Sequence, residues 1–498
     1  MASAAGQGGR ILLRGGFISG AGYILRIIAR LSLALVAARL FGPVVFGAFI
    51  VAIAVVEAAS VASGLGTKWM LFKWLDANKQ EELRPDAHVL IDAVILVGAA
   101  GLVAGAAILG GVLGSGVVGP TTKLAIVTLL PVIVLQSQMD LTLAATRWTH
   151  VMRYEFAAKS VIQPVAIIVF AFAALFMGGG AQSLAVAYVA ATALALVYAI
   201  YGARRSLGGF ALSSYRPRLA ELRAKLRAAL PSGASDLVDA LYTRADIYLV
   251  AILLGEKAAG IYAVARQVSL PVRQMRQAFD GMLVPLVSKT LSLAGPKRAL
   301  ASAGESSRLV LIAQAPVAIG LCAAAPALLD FAHAHFPYAV FAVYLLAAAE
   351  VLQGTFGIGE LIIVYAWPKR LAALTAGSLA VGMASAFFLA PQFSVAGVAG
   401  AVLVSYAARA AGRETILLRE FGGRVRLAFW AGPTVSIAAA IGMVGLVYLM
   451  GRHMQEQRLA ETAAAMGLLI YVGAAWTWAA STRARLLPRA FVLQRRAD

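Results

Sequence analysis

Charge is what this chain has least of. Asp, Glu, Lys and Arg make up 13% of its 498 residues, and 61% are hydrophobic. A soluble globular protein carries roughly 25% charged residues, so a chain this poor in charge folds in lipid. Apolar windows of about 20 residues, the length that crosses a bilayer, recur from end to end and leave no room for a soluble catalytic domain. Cysteine is nearly absent: Cys322 alone, inside an apolar run, excludes disulfides, thiolate metal clusters and iron–sulfur centres within one chain. His333 and His335 fall in an expected external turn with no other ligand-type residue beside them, so no metal site is expected. Also missing are the P-loop G-x-x-x-x-G-K-[ST], the G-x-S-x-G elbow and the H-E-x-x-H pair. Without them there is no in-chain ATP motor and no recognisable catalytic constellation, so neither an enzyme nor a bound cofactor is expected.

What is present is apolar helix, repeated. The pattern predicts an all-α polytopic membrane protein of about fourteen transmembrane helices. Residues 1–206 form a first six-helix lobe, 207–229 a cytoplasmic linker, and 230–420 a second six-helix lobe. Residues 421–498 add two helices, at 427–450 and 459–480, and a basic tail. The opening MASAAGQGGRILLRGG runs into a full-length apolar span without an A-x-A site, and is expected to be the first transmembrane helix, not a cleaved signal. The net charge of +20 is placed unevenly, with most Lys and Arg in segments on one side of the spans. That asymmetry is the positive-inside pattern, which makes both termini cytoplasmic and removes nucleic acid as the reason for the charge. In the linker, Arg216, Arg218, Arg223, Lys225 and Arg227 alternate with Leu219, Leu222, Leu226 and Leu230 at helical spacing. An amphipathic helix on the cytoplasmic leaflet is expected there, beside the plainer reading of a basic linker.

The chain repeats internally. Leu40-Phe41-Gly42-x4-Gly47-Ala48-Phe49 matches Leu254-Gly255-x4-Gly260-Ile261-Tyr262, each at the outer turn between the first two helices of a half. The same offset sets Gly178-Gly179-Gly180 opposite Pro391-Gln392-Phe393. Two six-helix halves of like topology, related by an axis along the membrane normal, explain both matches.

Against this apolar background six arginines stand out. Arg26, Arg30, Arg244, Arg266, Arg273 and Arg276 all interrupt spans. A charge at the bilayer centre costs roughly 3 kcal/mol on insertion scales, so each is expected to face a hydrated path or a partner. Two readings stay open. In one, the arginines are latches paired with acids: Arg26, Arg30 or Arg244 with Asp239, Asp246 or Glu57. In the other they bind an anionic head group, because guanidinium recognises phosphate through two planar, parallel hydrogen bonds. Glu57, Asp239, Asp246 and Glu350 carry the matching ambiguity: they neutralise arginines, or they gate transport by binding a coupling proton or sodium ion.

Several stretches together resemble one family. Arg244-Ala-Asp246-Ile-Tyr-Leu-Val-Ala-Ile-Leu-Leu-Gly255-x4-Gly260-Ile-Tyr262-Ala-Val-Ala265, then Pro271 and Phe279-Asp-Gly-Met-Leu-Val-Pro285, are similar to the seventh and eighth helices of bacterial polysaccharide flippases. So are Ala38-Arg39-Leu40-Phe41-Gly42-Pro43-x3-Gly47 and Ala396-Gly397-Val-Ala-Gly400-Ala. These flippases form the polysaccharide transport branch of the multidrug, oligosaccharidyl-lipid and polysaccharide exporter superfamily. The resemblance implies two six-helix lobes plus two extra helices, alternating between inward-open and outward-open states in the bacterial inner membrane. It implies a cargo of undecaprenyl-diphosphate-linked oligosaccharide, moved to the periplasmic leaflet for O-antigen, exopolysaccharide or capsule. Arg26, Arg30, Arg244 and Arg273 fit by position the cationic residues that would engage its diphosphate. A monomer serving glycosyltransferases and a polysaccharide polymerase is implied as well. A peptidoglycan lipid-precursor flippase and a cation-coupled multidrug exporter are the alternatives in the same superfamily. A membrane polysaccharide polymerase or ligase is the alternative of another class, disfavoured by the short external loops.

Overall fold

The computed structural model describes residues 2–81, 86–114, 119–149, 151–176, 182–207, 215, 217–334 and 338–421. Every regular element among them is a helix: α1 (Ala2–Ser63), α2 (Thr67–Glu81), α3 (Asp86–Gly114), α4 (Pro120–Trp148), α5 (Arg153–Phe156), α6 (Gln163–Phe176), α7 (Ser183–Ser206), α8 (Leu219–Phe331), α9 (Ala339–Phe356), α10 (Ile358–Ala366) and α11 (Pro368–Phe421). A π-helical turn, Ala157–Ile162, joins α5 to α6. The expected spans 427–450 and 459–480, and the side chains of Arg26 and Arg30, lie outside the described residues.

Among the described residues, 9 helical stretches are long and apolar enough to cross a membrane. Three of them, Ala34–Asn78, Leu219–Gln277 and Arg370–Glu420, have 45, 59 and 51 residues. About 20 residues make one crossing, so each of these must turn back inside its length. The turning points are explicit in the backbone: Gly42 at φ 78, Gly255 at φ 85 and Ser394 at φ 52. The first two are the repeat-related glycines, and positive φ is what a glycine permits at low cost. Ser394 follows directly on the Pro391–Phe393 turn expected from sequence; its partner turn at Gly178–Gly180 lies outside the described residues.

The chain divides into two compact units. The first comprises Met1–Val264 with Phe331–Pro337 and Ala390–Val398. Its packing is set by small residues. On α7, Ala187, Ala191, Ala195, Ala199 and Ala203 recur every fourth residue and are all buried. A stripe of this kind lets helix backbones approach closely, the main means of helix association in lipid. The two copies of the glycine motif meet within this unit. A Cβ added to Gly47 would overlap the Glu256 carbonyl oxygen and stand 2.6 Å from Gly260 N. One added to Gly260 would overlap the Pro43 carbonyl oxygen and stand 2.9 Å from Gly47 N. The second glycine of each motif is therefore needed for the direct backbone contact of one copy with the other.

The linker region enters this unit as the first turns of α8, continuous with the next span. Leu222 and Ala229 are buried, and Lys225 Nζ donates to Asp92 Oδ2 at 2.6 Å, while Tyr215 OH donates to Asp92 Oδ1 at 2.6 Å. Leu219 and Leu230 remain exposed. The second unit comprises Ala265–Asp330, Tyr338–Leu389 and Ala399–Asp498. Its core joins Ala299, Leu300, Val310 and Leu311 of α8 to Ile358, Ile362 and Ile363 of α10 and Leu417 of α11.

Candidate functional site

Among the described residues, each unit has an arginine in a candidate span paired with a glutamate, and a tyrosine bonded to one member of the pair. In the first unit the pieces come from α1, α7 and α8. The Arg244 guanidinium is in close ion-pair contact with Glu57 Oε2, and Tyr188 OH donates to Glu57 Oε1 at 3.1 Å. Arg244 Nη1 also reaches back along its own helix to the Ala240 carbonyl at 3.4 Å. Tyr248, one turn after Arg244, donates to the Ala54 carbonyl at 2.7 Å and ties α8 to the segment of α1 that carries Glu57. The relative exposures of the two charged side chains, 22% for Arg244 and 28% for Glu57, leave this pair accessible.

In the second unit α8, α9 and α11 converge. Arg273 Nε donates to Glu350 Oε2 at 2.9 Å and Nη2 to Oε1 at 2.5 Å, a two-pronged pair. Nη2 also donates to Tyr406 OH at 2.9 Å. The Glu350 side chain is only 8% exposed. A carboxylate this buried is tolerable because the guanidinium supplies both charge and parallel donors.

The remaining candidates sit elsewhere. Asp246 is buried but accepts from the Ile247 amide at 3.0 Å and from Tyr262 OH at 2.9 Å. Asp239 is exposed, and its backbone carbonyl accepts from the Thr243 hydroxyl one turn along α8 at 2.7 Å. Arg266 is half-buried, its carbonyl accepting from Ser269 at 2.9 Å. Arg276 lies against the bend between α9 and α10, where a Cβ on Gly357 would come within 2.6 Å of its Nη1. The structure thus brings Arg244 to Glu57 and Arg273 to Glu350, while Asp239 and Asp246 stand apart from both.

Sequence reasoning misses a further ionic cluster, in the second unit. Glu360, in the first turn of α10, accepts from Arg413 Nη1 at 2.8 Å and from Arg409 Nη2 at 3.2 Å. Arg409 Nε lies 2.8 Å from the same carboxylate. Gln353 Nε2 approaches Glu360 at 3.4 Å. The signal that could have found it is the i, i+4 spacing of Arg409 and Arg413, which puts both on one face of α11. Among the described residues no group of three or more His, Cys, Asp or Glu is placed to hold a metal ion. His335 lies outside them.

Three solved structures set this arrangement among known folds. The lipid II flippase MurJ in an inward-closed conformation superposes with a TM-score of 0.70 at 13% identity, covering 91% of this chain and 98% of that one. An inward-facing multidrug resistance transporter of the MATE family, within the MOP superfamily, gives 0.54 at 18% identity over 80% of this chain and 94% of that one. A MOP superfamily transporter from Pyrococcus furiosus, described by a binding pocket of reversed polarity, gives 0.56 at 15% identity over 80% and 94%. All three are transporters or flippases, not enzymes, and at these identities the likeness is one of fold. No curated protein sequence matches the chain. The chain is a multi-pass membrane protein whose fold is like that of MurJ and of the MATE family transporter. The sequence model described as polysaccharide biosynthesis protein matches residues 12–291, more than half of its length, and the chain belongs to that family.

Proposed function

We propose that this protein is an alternating-access flippase that moves undecaprenyl-diphosphate-linked oligosaccharide from the cytoplasmic to the periplasmic leaflet of the bacterial inner membrane, for surface polysaccharide assembly. The observation that carries the reading is a pair of arginines in candidate spans, each ion-paired to a glutamate with a tyrosine bonded to one member of the pair, in a chain of the polysaccharide biosynthesis family. A diphosphate cannot enter hydrocarbon unaided, since an isolated charge costs tens of kcal/mol by ideal solvation estimates. Its polyprenyl tail, by contrast, needs no shelter. The protein therefore has to supply cationic donors to the head group and release them again, and no bond is made or broken.

Arg244 and Arg273 suit that task because their present partners are carboxylates. A phosphate offers the same planar acceptor edge with more charge, so it competes with Glu57 and Glu350 for the guanidinium. Glu57 and Glu350, once displaced, are the groups placed to take up a coupling proton or sodium ion; Asp239 and Asp246 are secondary candidates. Arg26, Arg30, Arg266 and Arg276 extend the cationic set. The protein works as a monomer, taking cargo from glycosyltransferases and passing it to a polymerase.

Deletion is expected to strand lipid-linked oligosaccharide on the cytoplasmic leaflet and abolish surface polysaccharide, measured by leaflet-selective labelling and by polysaccharide blotting. Intact surface polysaccharide with unchanged lipid-linked pools would remove the proposal. A second reading, flipping of the peptidoglycan lipid precursor, draws on the likeness to MurJ over nearly the whole chain. The same deletion then gives cell lysis with surface polysaccharide made as before.

A further inference from the structure

The Glu360 cluster surrounds a fully buried guanidinium, with Glu414 as a second acid beside Arg413. Two guanidinium groups converge on one carboxylate, and Arg413 is 0% exposed. Its Nη1 is satisfied by Glu360, but its Nε and Nη2 are buried with no hydrogen-bond partner among the described residues. A buried donor left unpaired typically costs 1–3 kcal/mol, and more on a charged group, so an arrangement of this kind calls for a further acceptor.

The backbone around the cluster is cut to admit long cations. α9 ends at Phe356 and α10 begins at Ile358, with glycines at 357 and 359. A Cβ on Gly357 would press on Arg276 Nη1 at 2.6 Å, and one on Gly359 would lie 3.3 Å from Arg413 Cδ. Side chains at either position would push a guanidinium away. Glu360 follows immediately, and its place in the first turn of α10 puts its carboxylate in the positive field of a helix N-terminus.

We propose that Arg409, Arg413 and Glu360 form an oxyanion site, separate from the two arginine–glutamate–tyrosine groups, in which Glu360 is a resident carboxylate that a phosphate-class anion displaces. The incoming anion inherits the helix N-terminus and both guanidinium groups, and its extra oxygens meet the Arg413 donors that a carboxylate leaves unused. Gln353 Nε2, already facing the carboxylate, is a further donor to it. The Glu360 side chain keeps 12% of its surface exposed, whereas Arg413 keeps none. Free phosphate, pyrophosphate and a lipid-linked diphosphate share this chemistry, so the site does not depend on the proposed cargo.

The test uses the full-length protein in lipid nanodiscs and radiolabelled pyrophosphate at constant ionic strength. Wild type binds it saturably; Arg413→Gln weakens binding at least tenfold, and Arg413→Lys weakens it less. Glu360→Gln, which keeps the shape and removes the competing charge, binds several-fold more tightly than wild type. The last variant decides the matter even where Arg413→Gln fails to fold. A purely structural ion cluster gives the opposite pattern: no pyrophosphate binding, and a lower melting temperature in Glu360→Gln. That result, or binding indifferent to both substitutions, overturns the proposal. Competition by undecaprenyl diphosphate in the disc assigns the site to the lipid head group; binding without such competition assigns it to a free anion.

Discussion

The two arginine–glutamate–tyrosine groups use the same residue types and wire them differently. In the first unit the tyrosine bonds to the acid: Tyr188 and Arg244 share the Glu57 carboxylate. In the second it bonds to the base: Arg273 is held by both Glu350 oxygens and by the Tyr406 hydroxyl as well. Glu57 is 28% exposed and Glu350 8%. Tyr188 therefore steadies the carboxylate of its pair, whereas Tyr406 holds the guanidinium. One set of residue types thus gives two pairs of different exposure, one braced at its acid and the other at its base.

The largest expected effect is on the less exposed pair. Glu350→Gln leaves the Arg273 guanidinium without its counter-charge in a low-dielectric site, and removing one partner of a buried pair costs about 3–5 kcal/mol. A steep fall in melting temperature and in the monodisperse fraction is expected. Glu57→Gln, at a more accessible pair, should cost only about 1 kcal/mol. Equal losses in the two variants would erase the distinction between the groups.

A smaller effect separates coupling from mere presence. Glu57→Gln combined with Arg244→Gln is expected to be more stable than the sum of the single changes, because each single change strands a charge that the double one does not. Strict additivity would mean the two residues ignore each other. Smallest are the tyrosines. Tyr406→Phe should cost about 1 kcal/mol by withdrawing an acceptor from Arg273, while Tyr188→Phe should leave stability nearly unchanged, since Glu57 keeps Arg244. Thermal unfolding of the purified variants reads both, and a Tyr188→Phe loss as large as that of Tyr406→Phe would contradict the wiring described.

Much of the fold was legible in the residues. The repeated Gly-x4-Gly announced both turning glycines, and its second member proved to be the point where the copies touch. The membrane class followed from composition alone. The arginines were legible as anomalies, and Arg244 with Glu57 was one pairing open to sequence reasoning. Tyr188 and Tyr406 were not, because a tyrosine on an apolar helix carries no sign of which distant charge it meets. Arg409, Arg413 and Glu360 escaped for a different reason. Basic residues near the end of a span look like ordinary topology signals, and only the bend at Gly357 shows that Arg413 turns inward to meet Glu360. The linker leucines show the limit of periodicity: the spacing announced a helix, but Leu222 and Ala229 are buried while Leu219 and Leu230 stay exposed.

The proposed exchange gives Arg244 and Arg273 a diphosphate head group in place of their glutamates. Its most direct test is leaflet transfer of a fluorescent undecaprenyl-diphosphate-linked oligosaccharide in vesicles containing the purified protein. Transfer should be at least tenfold slower with Arg244→Ala or Arg273→Ala, and partly restored by lysine at the same position. Wild-type transfer rates in both alanine variants would rule this exchange out.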